Sequence, residues 1–360
     1  MANIWVKYLA EAVLTPLSYL YKMVVVARNR MFDLHILPQE EFDVPVVVVG
    51  NLNAGGTGKT PHTEYIVEAL SHDFRVGVLS RGYKRQTSGF ILANNKLTPN
   101  DLGDEAYQVY RKFGSFITLA VCENRRKGIK EMLRLDPRID VIVLDDAFQH
   151  RYIKAGLYLL LTDFSRLFTR DCVLPAGRLR ESRSGARRAD AIIVTKCPEQ
   201  LGEEERAGIR REIARYTDAP AFFSSVGYGA PQPGFAETLE WQSAGKARHV
   251  LLVCGIARPE PFIARWKAQA EKVEVMRYPD HHAFTPEEVR QMAEAAQEAS
   301  IIVTTEKDMM RLKTLPLPLE MKKKLYYQPI EITFSNSEKQ KFNNLIFNYV
   351  ASHSRNRRVD

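Results

Sequence analysis

The residues best equipped for chemistry lie in Gly55-Gly56-Thr57-Gly58-Lys59-Thr60. Gly55, Gly56 and Gly58 let a backbone approach an anion closely, and their N–H groups can line a nest for phosphate oxygens. Lys59 would reach β- and γ-phosphates, and the Thr60 hydroxyl would sit on Mg²⁺. The chemistry this implies is ATP binding by a loop of Asn53, Ala54, Gly55, Gly56, Thr57, Gly58, Lys59 and Thr60. One position departs from the G-x-x-x-x-G-K-[ST] pattern: Asn53 stands where the first glycine belongs. Asparagine tolerates the left-handed region better than most residues, and on that reading the loop survives the change.

Three further clusters carry ionisable or planar cationic groups. Asp145-Asp146-Ala147-Phe148-Gln149-His150 follows an apolar run at 140–144. Carboxylates at the end of a buried strand in such a chain suit a metal- or water-ordering role, the alternative being a pair that caps a turn. Arg178, Arg180, Arg183, Arg187 and Arg188 fall within eleven residues. The guanidinium fork suits phosphate, and the absence of interleaved aromatic residues argues for a phosphorylated small substrate or lipid headgroup over nucleic acid. A solvated loop is the other reading. Arg125, Arg126 and Lys127 open a helix pattern against its dipole, which fits either a bound anion or a solvated turn. Asp280-His281 lies in a loop between a strand and a helix, as an acid/base pair or as a structural one.

The elements that must position these groups follow from periodicity. Val46 to Val49 reads as a strand covered on both faces, placed before the glycine loop. Extended runs are expected at 75–80, 116–121, 140–144, 157–161 and 191–195, with helices at 61–70, 103–113, 124–135 and 202–216. Residues 90–93 and 96–97 flank Asn94-Asn95 as a small hairpin. After the linker-like Gly229-Ala230-Pro231-Gln232-Pro233-Gly234, a second α/β set begins. Residues 221–228 and 325–334 are expected to run side by side as a two-stranded connector. The division is then 1–35 (membrane-surface helices), 36–220 (nucleotide-binding domain), 221–234 (hinge and linker), 235–324 (second α/β domain), 325–335 (return strand) and 336–360 (closing helix and tail).

The remaining composition narrows the class. A net charge of +8 favours acidic partners. The four cysteines, at 122, 172, 197 and 254, form no C-x-x-C pair, which argues against a disulfide scaffold and fits a reducing compartment. Residues 3–31 are apolar and aromatic but interrupted by Glu11, Pro16 and Lys22, so they suit one or two amphipathic helices at a membrane surface better than a spanning helix. The competing reading packs them on the protein's own core. No signal peptide and no obligate protein partner is evident.

Taken together, the blocks Gly50-Asn51 through Pro61, Leu79-Ser80-Arg81-Gly82-Tyr83, Gly103-Asp104-Glu105, Asp145 to His150, Leu174-Pro175-Ala176-Gly177-Arg178-Leu179-Arg180-Glu181 and Asp280-His281 resemble the tetraacyldisaccharide 4′-kinases of lipid A biosynthesis. The resemblance runs in order along nearly the whole chain, and that family also lacks the first loop glycine. It implies a P-loop NTPase-like α/β/α sandwich with a second, smaller α/β domain joined by a two-stranded hinge. It implies transfer of the γ-phosphate of ATP to the 4′-hydroxyl of a tetraacylated disaccharide 1-phosphate at the cytoplasmic face of the bacterial inner membrane. Asp104 then matches a catalytic base with His281 as its partner, and Lys59 joins them. Thr60, Asp145, Gln149 and Glu181 match the Mg²⁺ surroundings. Arg125, Asp146, Arg178 and Arg180 fall to the acceptor and phosphates. The rivals are a membrane-associated P-loop ATPase switch and a kinase of a soluble metabolite. Ala54, where the switch class often carries a lysine, counts against the first, and the N-terminal stretch counts against the second.

Overall fold

The computed structural model describes residues 2–239, 247–280 and 282–353. His281 and the tail 354–360 lie outside the described residues. In chain order the strands are β1 Val46–Asn51, β2 Val76–Ser80, β3 Ile91–Leu92, β4 Ile117–Val121, β5 Val141–Asp145, β6 Leu157–Asp163, β7 Ala191–Thr195, β8 Ala221–Tyr228, β9 Gln232–Pro233, β10 Ala247–Cys254, β11 Ala270–Arg277, β12 Ile301–Thr305, β13 Leu325–Gln328 and β14 Ile330–Phe334. The α-helices are α1 Ala2–Asp33, α2 Lys59–Ser71, α3 Pro99–Leu102, α4 Asp104–Phe113, α5 Arg125–Leu135, α6 Glu203–Ile213, α7 Glu260–Gln269, α8 Pro286–Ala295, α9 Glu306–Leu312, α10 Leu319–Lys324 and α11 Asn336–His353.

Among the described residues the strands form two sheets. The larger runs β14-β8-β7-β6-β1-β5-β2-β4-β3, parallel except at its two ends, and the smaller runs β11-β10-β12-β13-β9. β1 is buried along its whole length between β5 and β6. Val46 and Val48 face one layer with Ile129 and Met132 of α5, and Val47 and Val49 face the other with Ile66 and Val67 of α2. Each buried valine contributes about 1.5–3 kcal/mol, against roughly 0–1 kcal/mol for an exposed ion pair. Packing, not charge, therefore fixes where the loop after β1 begins. Register places Val49 beside Asp145, so the glycine loop and the paired aspartates leave the same sheet edge side by side.

Two extended stretches differ from the sequence expectation. Ile91–Leu92 does not fold back on 96–97; it pairs antiparallel with β4 as the sheet's edge strand. The run 325–334 is split at Pro329. Leu325–Gln328 joins β12 in the smaller sheet, and Ile330–Phe334 pairs with 224–228 of β8 at the larger one. Proline offers no N–H to either ladder, which suits the point where the chain changes sheets.

The N-terminal stretch is one helix that continues through Pro16. No described helix is long and apolar enough to cross a membrane. Tyr19, Leu20, Met23 and Val24 are exposed. The inner face of α1 is bonded to the 174–181 segment: Ser18 Oγ accepts from Ala176 N at 2.8 Å, and Tyr21 donates to the Arg180 carbonyl at 2.9 Å.

Candidate active site

The loop occupies the seven residues between β1 and α2. Gly55 at φ 117° and Gly58 at φ 82° turn it into the left-handed region, where a side chain would be strained. A Cβ on Gly56 would meet nothing within 4 Å, and one on Gly55 would meet only Arg178 Nη1, at 4.0 Å. That open space above the backbone is the room a triphosphate requires, so the loop fits ATP. Around it the backbone is held from three sides. Ala54 N donates to Arg178 O at 2.6 Å, Asn51 Nδ2 to Thr57 Oγ1 at 2.7 Å, and Thr195 Oγ1 to Thr57 O at 2.9 Å.

Asn53 is not left-handed. The non-glycine residues at positive φ are His35, Lys84, Asp146 and Lys196 among the described residues. Asn53 is bridged to Leu179, and its buried amide donates to Asp171 Oδ2 at 2.9 Å. Tolerance of φ > 0 is thus not what preserves the loop. A side chain is used here, tying the loop to the 171–179 segment, and glycine could not supply it.

Lys59 begins α2, and its Nζ lies 3.6 Å from Asp146. Asp146 also accepts from Arg180 Nη1 at 2.9 Å. Burial would raise the Asp146 carboxyl, but Lys59 and Arg180 outweigh it and hold the group below its usual range. Asp145 is the opposite case. It is buried, accepts from Thr63 Oγ1 at 3.1 Å and Ser80 Oγ at 3.4 Å, and is pushed up to about 7 by burial and then by Glu105 and Asp146. A carboxyl raised by burial and neighbouring acids is one that a divalent cation would relieve. No group of three or more His, Cys, Asp or Glu clusters as a metal site among the described residues. A cation here would therefore draw most of its ligands from phosphate and water, as Mg²⁺ commonly does.

The other expected metal and substrate groups form a brace. Glu181 is 1% exposed and accepts from Asn29 Nδ2 and Arg188 Nη2, each at 2.8 Å, and from Gln149 Nε2 at 3.1 Å. Gln149 Nε2 also donates to Asn51 O at 2.8 Å. Arg125 is buried. It donates to Cys122 O at 2.8 Å and Asp145 O at 3.2 Å, and burial pulls it down to about 10. The arginine loop divides in the same way. Arg180 serves Asp146, Arg183 donates to Asp171 O at 2.9 Å, and Arg188 serves Glu181, while Arg178 and Arg187 are exposed.

Asp104 is the first residue of α4. Gly103 before it has φ 83°, and a Cβ there would stand 2.6 Å from Tyr83 O, so only glycine permits this helix start. The Asp104 carboxylate pairs with Arg311 Nη2 on α9. Nearby, Asp280 Oδ1 accepts from Lys307 Nζ at 3.4 Å, and His282 Nε2 bonds Glu288 at 2.8 Å while its ring stacks on Tyr278. Sequence reasoning missed Arg311, Asp171 and Lys196. Lys196 reaches both the Gly56 carbonyl and Asp163. A lysine directly after the apolar strand β7 was the available signal, since ligands gather at the C-terminal ends of such strands.

A parallel sheet with an open glycine loop, an in-line Lys-Thr and paired carboxylates on the adjacent strand defines a P-loop nucleotide-binding enzyme. Residues 10–350 match the family model for tetraacyldisaccharide-1-P 4′-kinase. The chain is 44% identical over 358 residues to the tetraacyldisaccharide 4′-kinase of Bacteroides thetaiotaomicron, covering 95% of this chain and 94% of that protein. It is 44% identical over 345 residues to the enzyme of that name from Flavobacterium psychrophilum, covering 95% and 98%. The crystal structure of LpxK from Aquifex aeolicus in complex with ATP superposes with a TM-score of 0.75 at 28% identity, over 94% of this chain and 99% of that one. The chain belongs to the tetraacyldisaccharide-1-phosphate 4′-kinase family. It is an ATP-dependent kinase.

Proposed function

We propose that this kinase moves the γ-phosphate of ATP to the 4′-hydroxyl of a tetraacyldisaccharide 1-phosphate, forming the lipid IVA intermediate at the cytoplasmic face of the inner membrane. The observation that carries this reading is the placement of Asp104. The end of α4 meets α9 of the smaller sheet, so a base on the larger sheet faces a wall supplied by the other. The β8–β14 pair, where the chain passes between the two sheets, would let them close on the bound substrates and exclude water.

In the transfer step Asp104 accepts the proton of the 4′-hydroxyl. The sugar oxygen forms a bond to the γ-phosphorus, and the bond from that phosphorus to the β–γ bridging oxygen breaks. ADP leaves with that electron pair. Lys59 and the amides of Gly55 to Thr60 offset the negative charge of the triphosphate. Mg²⁺, bound with ATP, supplies further charge neutralisation, and Thr60 and Asp145 would hold it, with Gln149 and Glu181 bracing the segments behind. Arg178, exposed beside Gly55, faces the incoming acceptor. The exposed face of α1 suits the membrane interface, and its bonds to Ala176, Arg180 and Glu181 would keep the site at the lipid surface.

Asp104→Asn tests the base. Turnover should fall roughly 10²–10⁴-fold while ATP affinity holds. Equal losses in turnover and ATP affinity would remove the base assignment.

A further inference from the structure

The smaller sheet reaches the proposed base through one side chain. α4 and α9 pack together, and Arg311 Nη2 of α9 lies on the Asp104 carboxylate. Arg311 is no loose surface arm: it is 9% exposed and is held from behind, with Nη1 reaching Asp308 Oδ1 at 3.4 Å. Asp308 is fully buried, and its Oδ2 accepts from Gly255 N at 2.8 Å and Thr305 Oγ1 at 2.6 Å. Gly255 follows β10, and Thr305 ends β12. The cation is thus set by the strand ends of one sheet and delivered to a carboxylate of the other.

We infer that Arg311 is a positioning residue for phosphoryl transfer, holding Asp104 ionised and in place while the two sheets are closed on each other. This rests on the reading of Asp104 as the base. A carboxylate beside a triphosphate is repelled by it, and without a counter-charge it gains a proton or turns away. An arginine within contact lowers a carboxyl pKa by about 1–3 units. Arg311 supplies that counter-charge and fixes the carboxylate where the acceptor hydroxyl must meet it. The elements around α4 carry other charges: Glu64 and Glu68 on α2, Asp101 on α3, Glu306, Lys307 and Asp308 on α9, and Arg81, Lys84 and Arg85 in the turn beneath Gly103. Glu64 is occupied by Lys112 and Gln108, Asp101 by the Thr98 cap, and Arg85 by Glu123. On α4 itself are Glu105, Arg111 and Lys112. Lys59, also on α2, lies on Asp146, and among the described residues Arg311 is a cation that the structure places on Asp104.

The test is steady-state kinetics with ATP and the tetraacyldisaccharide acceptor from about pH 5.5 to 9, on wild type, Arg311→Gln, Arg311→Lys and Asp104→Asn. Arg311→Gln should lower kcat roughly 10²-fold and leave the KM for ATP within about twofold. It should also move the acid limb of the profile up by about one pH unit or more. Arg311→Lys, which keeps the charge and loses the fork, should return the limb to its wild-type position with kcat only partly restored. Arg311→Gln with wild-type kcat, or with an unmoved acid limb, overturns the inference. Should Arg311→Gln fail to fold, Arg311→Lys decides, and an undiminished kcat there overturns it. Asp104→Asn that keeps its turnover sinks the base reading itself. Asp104→Asn inactive beside an Arg311→Gln with a normal limb sinks the Arg311 inference alone.

Discussion

Lys59 Nζ stands 3.6 Å from Asp146 Oδ1, and the same oxygen accepts from Arg180 Nη1 at 2.9 Å. The lysine that a triphosphate needs is thus parked on an acid that already has a second cation. ATP can take Lys59 without leaving Asp146 unpaired. Lys59→Ala should therefore lower kcat by roughly 10²–10³-fold while changing stability by no more than about 1 kcal/mol. Parallel activity and thermal-unfolding measurements check this. A large drop in melting temperature would show that the pair is structural.

Glu181 gathers three donors from three parts of the chain: Asn29 of α1, Gln149 after β5, and Arg188. Removing it leaves the Arg188 guanidinium without its carboxylate partner, with only the Phe148 carbonyl and ring beside it, at a cost of about 3 kcal/mol. Glu181→Ala should lower the melting temperature by several degrees and make α1 easier to cleave by protease. Unchanged stability together with an altered Mg²⁺ requirement would make Glu181 a metal ligand instead.

Much of this site could be read from local pattern. Four consecutive valines before a glycine run specify a buried strand and an anion loop, and an apolar run ending in two aspartates specifies the neighbouring strand. Those signals are short-range and survive without knowledge of the fold. The direction of a guanidinium is not short-range. Arg125 reads as a helix-start cation awaiting an anion, yet it turns inward to two backbone carbonyls. Arg311 has no local mark of its role, because Asp104 lies on α4, about two hundred residues away in the chain. Asn94-Asn95 carries a real turn signal, but Ile91–Leu92 finds its ladder on β4.

Glu306 supplies a pH dependence. It is buried on α9, and burial, followed by the charge of Glu64 on α2, pushes its carboxyl from 4.5 up to about 7. The folded state then holds a proton that the unfolded chain has already released. Its stabilising contribution is full below pH 4.5 and is lost as the pH rises through about 7. The melting temperature of wild type should fall across that window, and Glu306→Gln should flatten the slope. An unchanged slope in the variant would contradict the account.

The exposed apolar face of α1 makes a separate prediction. Leu20, Met23 and Val24 are 57%, 62% and 62% exposed. The double variant Leu20→Glu, Val24→Glu should sediment less with anionic phospholipid vesicles than wild type, with ATP binding unaltered, because a charge on that face opposes insertion at the interface. Equal sedimentation would remove α1 as the membrane contact.

The most direct measurement is the fate of the γ-phosphate. Purified protein with γ-labelled ATP and Mg²⁺ should place the label on the 4′-oxygen of a tetraacyldisaccharide 1-phosphate, and transfer should depend on that acceptor. Label recovered only as free phosphate, with or without the acceptor, would contradict the kinase account and favour an ATPase switch.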